Sequence, residues 1–219
     1  MRTWKITAAG EGGQGVQALA ETLALAAYRA GLNALYIPNF GIEQRGGVSL
    51  AFVQISQEPI GAPKFLRADL AAALSPRALH RSGQYLGPQT IVLYDNSLID
   101  VPQVSDRVVG LQSYDTIAPD AFTERVSLHD KRPAVEMPSR RLIAVAASDL
   151  ARQRLHPRVF NMIILGAIVS ITGAVSLKQV KDALEEKLNH RFKQDPRLRE
   201  HNFAALDLGA AAVKKPAKI

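Results

Sequence analysis

Apolar residues along this chain come in blocks whose period changes from two to three-and-a-half and back. Trp4 to Ala9 reads as a strand. The glycine cluster Gly10 to Gly15 then turns it into a segment whose apolar positions Val16, Leu19, Leu23, Ala27 and Ala30 share one helical face. Gly31 stands where a helix stop belongs, and Asn33 to Ile37 reads as a second strand. Strand, helix and strand within about 35 residues have the size of one right-handed βαβ unit, so the sheet is predicted to start out parallel. Pro38 to Gly47 is a loop of turn formers, and the mostly apolar Val48 to Ile55 suits a strand buried on both faces.

Ala68 to Leu74 has the composition of a helix, yet Ser75-Pro76 directly after it is a helix start, with Ser as N-cap and Pro at the first helical position. Two helices do not abut easily without a linker, so Asp69 to Leu74 is predicted as a short buried strand. A helix from Pro76 to Leu86 follows, stopped by Gly87-Pro88, and then a strand from Thr90 to Tyr94. The stretch from Val101 to Ser139 carries scattered prolines and polar residues, with one short strand expected near Val108 to Leu111. Arg141 to Ala146 resumes the sheet. The remainder reads as helical: a short turn from Ser148 to Leu155, the apolar Pro157 to Ile171, the amphipathic Leu177 to Arg191, and Pro196 to about Val213 with Asp195 as cap. The pattern predicts a three-layer, Rossmann-like α/β domain over residues 1–175, with a mostly parallel sheet and helices on both faces. Residues 176–219 form a C-terminal helical arm packed on the same domain or on a partner.

Composition narrows the chemistry. None of the 219 residues is cysteine, which excludes disulfides, a thiolate nucleophile, Cys-ligated zinc and an iron–sulfur cluster held by four thiolates of this chain. No charged-then-apolar leader opens the sequence, and the apolar run Phe160 to Val175 is broken by Asn161, Ser170, Thr172 and two glycines, short of the roughly 18 apolar residues of a spanning helix. We therefore expect a cytoplasmic chain with no membrane span. The formal charge is +7, and eight cations between Arg125 and Arg158 face only Asp130, Glu136 and Asp149. That surplus is a solvated surface or a match for an acidic partner or anionic ligand. His80, His129, His156, His190 and His201 form no metal-spaced pair, so no metal site is expected. With 6% aromatics that do not interleave with the basic residues, no nucleic-acid platform is expected either.

Two glycine clusters remain. Gly10-Glu11-Gly12-Gly13-Gln14-Gly15 satisfies G-x-G-x-x-G between a strand and a helix, a setting where backbone N–H groups meet phosphate. A dinucleotide site also wants a carboxylate at the end of the second strand, where this chain has Ile37-Pro38-Asn39-Phe40. Gly10, Gly12, Gly13 and Gly15 therefore stand as a dinucleotide loop, a seat for an anion or phosphate group, or a structural tight turn. The second cluster, Asn39 to Gly47, holds Gly41, Gly46 and Gly47 with Glu43 and Arg45 on one loop; the two charges pair locally or face a partner.

Together the two clusters resemble a known family. Gly10 to Val16, then Pro38-Asn39-Phe40-Gly41-Ile42-Glu43-Gln44-Arg45-Gly46-Gly47, then Gln54-Ile55-Ser56 with Pro59-Ile60 are similar to the gamma domain of the pyruvate/2-oxoacid:ferredoxin (acceptor) oxidoreductases, with some likeness to the indolepyruvate oxidoreductase small subunit. Ala68-Asp69-Leu70, Pro157 to Met162, and Leu198 to Asn202 with Leu208-Gly209 extend the resemblance over nearly the whole chain. It implies a gamma subunit with no catalytic residue of its own, inactive alone. Alpha and beta partners would bind thiamine diphosphate with Mg, a ferredoxin-like delta subunit would carry iron–sulfur clusters, and a flavin subunit with FAD or NAD is a further option. The complex would decarboxylate a 2-oxoacid oxidatively to an acyl-CoA. On this resemblance Gly41, Glu43, Arg45, Gly46 and Gly47 touch the catalytic partners, and coenzyme A phosphates suit the first glycine loop or the Arg-rich stretch. Pyruvate, 2-oxoglutarate, branched-chain, indolepyruvate and phenylglyoxylate-type substrates stay open. So do two other readings: a freestanding nucleotide-binding dehydrogenase, and a non-catalytic assembly protein of the same fold.

Overall fold

The computed structural model describes residues 3–40, 47–100 and 141–214. Among them six strands form one sheet: β1 (Trp4–Glu11), β2 (Asn33–Asn39), β3 (Val48–Ser56), β4 (Ala68–Ala73), β5 (Leu86–Asp95) and β6 (Leu142–Val145), in the order β2-β3-β1-β4-β5-β6. The described helices are α1 (Val16–Arg29), α2 (Pro76–Ser82), α3 (Ala147–Arg154), α4 (Phe160–Thr172), α5 (Leu177–Gln194) and α6 (Pro196–Lys214). β1, β4, β5 and β6 pair in parallel, while β3 runs antiparallel to both β1 and β2. The sheet is thus mostly parallel, within a three-layer α/β arrangement.

One expectation of the chain pattern changes here. β2 keeps the direction of β1 but does not lie beside it, because β3 is inserted between the two. The connection from Asn39 to Val48 is too short for the crossover of a dozen or more residues that a parallel return needs, so the chain folds back as a hairpin. β3 is buried on both faces as expected. Ala51, Val53 and Ile55 join the main core with α1, and Leu50 and Phe52 face the opposite side. There Phe52 meets Phe65 and Tyr85 edge-on, at ring separations of 5.7 and 4.9 Å. Buried Gln54 donates to the carbonyls of Ala62 and Pro63 (2.7 and 3.2 Å), pinning the loop after β3 across this face.

β4 forms against its helical propensity: Leu70, Ala72 and Leu74 face the main core, and Ala71 and Ala73 face the other side. Burial on two faces outweighs a propensity of a few tenths of a kcal/mol per residue. Ser75 caps α2 by accepting the Ala78 N–H (3.2 Å), with Pro76 at the first helical position. The helix predicted to Leu86 ends at Ser82 and gives way to one 3₁₀ turn, Gly83–Tyr85. Gly87-Pro88 is consequently not a helix stop but part of β5. The chain enters the sheet early because Thr90 Oγ1 accepts the Gly87 N–H (2.7 Å) and donates to the Ala68 carbonyl (2.6 Å). The strand expected near Val108 lies outside the described residues.

The later helices follow the pattern closely. Ser176 and Gln179 form a capping box at the start of α5, and Asp195 Oδ1 accepts the N–H groups of Arg197 and Leu198 at the start of α6. Val180, Ala183, Leu184, Ala205 and Leu206 share one core with α1, α4 and the sheet. α4 and α6 cross at glycines. A Cβ on Gly166 would lie on the Leu206 carbonyl, and one on Gly209 on the Ile163 carbonyl, so the two backbones approach with no side chain between them.

Candidate functional site

The C-terminal ends of the parallel strands bring the predicted loops together. From β1 the chain leaves through α1 toward β2 on one face, and from β4 it leaves through α2 toward β5 on the other. The two connections diverge between β1 and β4, the position where open α/β sheets hold ligands. Here that position is crossed by a side chain. Gln14 Oε1 accepts the Glu11 N–H (2.6 Å) and Gln14 Nε2 donates to the Leu74 carbonyl at the end of β4 (3.3 Å). Gly10 leaves the room for this: a Cβ there would sit 2.6 Å from Val16 Cγ2 and 2.8 Å from Gln14 Oε1. Gly15 precedes α1 with φ 75°, and its carbonyl accepts from Asn161 Nδ2 in the first turn of α4 (3.2 Å). Gly12 and Gly13 are exposed.

Because β2 runs with β1, its end and the start of β3 emerge at this same edge. The Gly12 N–H donates to the Gly47 carbonyl (3.0 Å), so the two glycine clusters are joined backbone to backbone. Gln17, in the first turn of α1, makes the second link. Its Nε2 donates to Ser49 Oγ (2.6 Å) and to the Leu50 carbonyl (2.9 Å), and its Oε1 accepts from Tyr36 OH (2.7 Å). Partial burial, followed by the nearby Glu21 charge, raises the Tyr36 pKa above its ordinary value. Phe40, where β2 gives out, is 69% exposed.

Of the residues singled out in the sequence, Gly10, Gly12, Gly13, Gly15 and Gly47 therefore lie at one edge, whereas Gly41, Glu43, Arg45 and Gly46 fall outside the described residues. The dinucleotide alternative loses its second anchor. A ribose carboxylate belongs on the strand next to β1, and here β2 is one strand further out, about 10 Å from β1 at ordinary strand spacing, ending in Asn39. Among the described residues no group of three or more His, Asp or Glu side chains is placed to hold a metal ion. With no cysteine in the chain, the donor set does not fit an iron–sulfur cluster. His156 and His201 stack at 6.4 Å, a contact their spacing in the sequence does not reveal. Gln14, Gln17 and Asn161 escaped the sequence reading as well. A side-chain amide inside or just after a glycine loop was the available signal, since it can replace the backbone partners a loop lacks. No described helix is long and apolar enough to cross a membrane.

A glycine-loop α/β sheet with one reversed strand, Gln14 crossing between β1 and β4, and no carboxylate at the described end of β2 defines a Rossmann-like domain. The chain belongs to the pyruvate ferredoxin/flavodoxin oxidoreductase family, whose model matches residues 5–212, as the resemblance implied. It is 28% identical over 198 residues to the pyruvate synthase subunit PorC of Methanothermobacter marburgensis, covering 86% of this chain and 91% of the relative. It is also 28% identical over 177 residues to the pyruvate/ketoisovalerate oxidoreductases common subunit gamma of Thermococcus kodakarensis (81% and 82%). Against the ketoisovalerate oxidoreductase subunit VorA of Methanothermobacter thermautotrophicus the identity is 26% over 94% of this chain, which spans only 35% of that longer relative. Among solved structures, the gamma subunit of a keto/oxoacid ferredoxin oxidoreductase from Geobacter sulfurreducens matches with a TM-score of 0.66 and 22% identity over 96% of this chain and 98% of that one. A 2-oxoglutarate:ferredoxin oxidoreductase from Magnetococcus marinus, solved with 2-oxoglutarate, coenzyme A and succinyl-CoA bound, matches with a TM-score of 0.73 and 23% identity over the whole of this chain and 32% of that one. Both structural matches speak to the fold.

Proposed function

We propose that this chain is the gamma subunit of a cytoplasmic 2-oxoacid:acceptor oxidoreductase, a complex that cleaves a 2-oxoacid, releases carbon dioxide, captures the acyl group on coenzyme A and passes electrons to ferredoxin or another acceptor. The observation that carries this is the family match over residues 5–212, in a chain whose own residues offer no thiolate and whose switch point is filled. Thiamine diphosphate with Mg, the iron–sulfur clusters and any flavin belong in this reading to alpha, beta, ferredoxin-like delta and flavin partners. The gamma chain contributes a docking edge. The Asn39–Gly47 loop, with Gly41, Glu43, Arg45 and Gly46, meets the catalytic subunits, and helices α5 and α6 buttress the domain behind it. Coenzyme A phosphates, when bound, would find a donor at the exposed Gly13 backbone beside the N-terminus of α1, or at the arginines; the Gly12 N–H is held by the Gly47 carbonyl, and Gly10 and Gly15 serve the turn itself.

Tagged protein drawn from its native cells is expected to bring down thiamine-diphosphate and iron–sulfur chains, while the isolated polypeptide is colourless and turns over no ketoacid. Replacing Arg45 by Ala is expected to lower complex yield or raise the KM for coenzyme A, with the circular dichroism spectrum intact. Recovery of the chain without such partners, or turnover by the chain alone, would overturn the assignment. Unchanged yield and unchanged acyl-CoA formation in Arg45→Ala would remove the loop from it.

A further inference from the structure

The connection from β3 to β4 displays an apolar side chain that the fold does not require. Residues 57–67 lie at the end of the sheet opposite the glycine turns, where β3 finishes beside the start of β1. Leu66 in this loop is 87% exposed. An exposed leucine is ordinary by itself, but the chain around this one is fastened on both sides. Phe65 is buried and meets Phe52 edge-on, and Gln54 holds the carbonyls of Ala62 and Pro63. On the far side Arg67 Nη1 donates to the carbonyls of Gln84 and Leu86 (3.1 and 2.8 Å). With Phe65 turned inward and its neighbours tied down, Leu66 is held outward. The charges around it are mostly of one sign. Between residues 57 and 85, Lys64, Arg67, Arg77 and Arg81 are all exposed; the carboxylates are Glu58 and the partly buried Asp69, whose Oδ2 accepts the Lys5 N–H (2.8 Å). The Arg67 bonds go to carbonyls and leave its charge unneutralised. Phe65 and Ala78 of α2 share one buried cluster against which Tyr85 packs, so loop and helix form one surface.

We propose that this surface, Leu66 flanked by Lys64 and Arg67 and set beside Arg81 of α2, docks on an acidic patch with an apolar pocket on another protein chain of the complex. The inference rests on the gamma-subunit reading and adds a second contact to it, at the other end of the sheet from the Asn39–Gly47 loop. Charge complementarity selects the partner, and Leu66 makes it a protein: an apolar knob with a charged rim is the anatomy of a protein interface. A nucleic acid would want exposed aromatic rings among the cations, and here Phe65 and Tyr85 are packed on Phe52. A lipid surface would want an amphipathic helix with a wide apolar face, whereas the exposed residues of α2 are Pro76, Arg77, His80 and Arg81.

The test joins footprinting to affinity. Acetylation of Lys64 is followed in the isolated full-length chain and in the assembled complex, and variants are titrated against the remaining subunits. Lys64 is expected to lose most of its reactivity on assembly, and a zero-length carbodiimide cross-linker to join it to an Asp or Glu of another subunit. Leu66→Ser is expected to weaken binding about threefold to tenfold, and Arg81→Glu about tenfold at low salt with the effect shrinking as salt is raised. Both side chains are exposed, so melting temperatures should stay at the wild-type value. Lys193→Glu, the same charge change at an exposed position of α5, is expected to bind like wild type. Equal Lys64 reactivity in chain and complex would overturn the proposal, as would wild-type affinity in Leu66→Ser and Arg81→Glu. A matching loss in Lys193→Glu would also overturn it, by reducing the effect to net charge. So would protection of Lys64 in the isolated chain, by self-association or by phosphatidylserine vesicles, which would give the surface to a second copy or to lipid. If wild type fails to bind the other subunits, the gamma-subunit reading falls and this inference with it; binding that leaves Lys64 open sinks the inference alone.

Discussion

Gly15 and Gly13 both have positive φ, 75° and 93°, yet their surroundings differ. Nothing lies within 4 Å of a Cβ built on Gly13, whereas one on Gly15 would collide with the Asn161 amide. Gly13→Ala is therefore expected to cost about 1 kcal/mol, the backbone penalty alone, and Gly15→Ala about 2–4 kcal/mol because Asn161 must also give up the Gly15 carbonyl. Gly10→Ala, which has to displace Val16 or Gln14, should fall between them. Urea unfolding of the three variants measures the order, and equal costs would show that the signature acts as one uniform loop. Here the sequence was legible only as a motif. The spacing G-x-G-x-x-G identifies a turn from strand to helix, but what separates a phosphate seat from a turn closed by its own Gln14 is the carbonyl of Leu74, sixty positions away.

Among the elements, strands and helices were largely readable because their periods differ and their stops are chemically distinct. β4 was identified against its propensity because Ser75-Pro76 left no room for a second helix. The ends were less legible where tertiary bonds decide them: Thr90 draws Leu86 and Gly87 into the sheet, which no local pattern encodes. Pairing was misread at β2 for a related reason, since direction follows from helix and loop but adjacency depends on where the hairpin returns. The crossing of α4 and α6 makes a sharp prediction at this scale. Gly166→Ala or Gly209→Ala must push two backbones apart rather than rotate a side chain, at an expected cost of about 3 kcal/mol or more each. Equilibrium denaturation followed by circular dichroism measures it, and a cost under about 1 kcal/mol would contradict the close approach.

At the scale of the molecule, Tyr36 gives a readable pH dependence. Burial holds the Tyr36 phenol protonated in the folded state beyond its ordinary pKa of 10.0. The folded form then binds this proton more tightly than the unfolded chain, so the contribution is complete below pH 10 and is lost as pH rises through the folded value. Wild type should accordingly lose stability above pH 10 more steeply than Tyr36→Phe, measured by unfolding at several alkaline pH values with tyrosinate absorbance as a check. Parallel slopes would place Tyr36 in water. At this scale the absence of cysteine was the most informative single fact in the sequence, because it excludes an iron–sulfur cluster held by four thiolates of this chain.

Since α4 meets α6 backbone to backbone at Gly166 and Gly209 and also holds the Gly15 carbonyl through Asn161, it behaves as a stiff beam between the last helix and the first turn. A shift of α6 would meet no side-chain layer at these two glycines in which to dissipate. Movement of α4 would be felt at the Gly15 carbonyl, 146 positions before Asn161 along the chain.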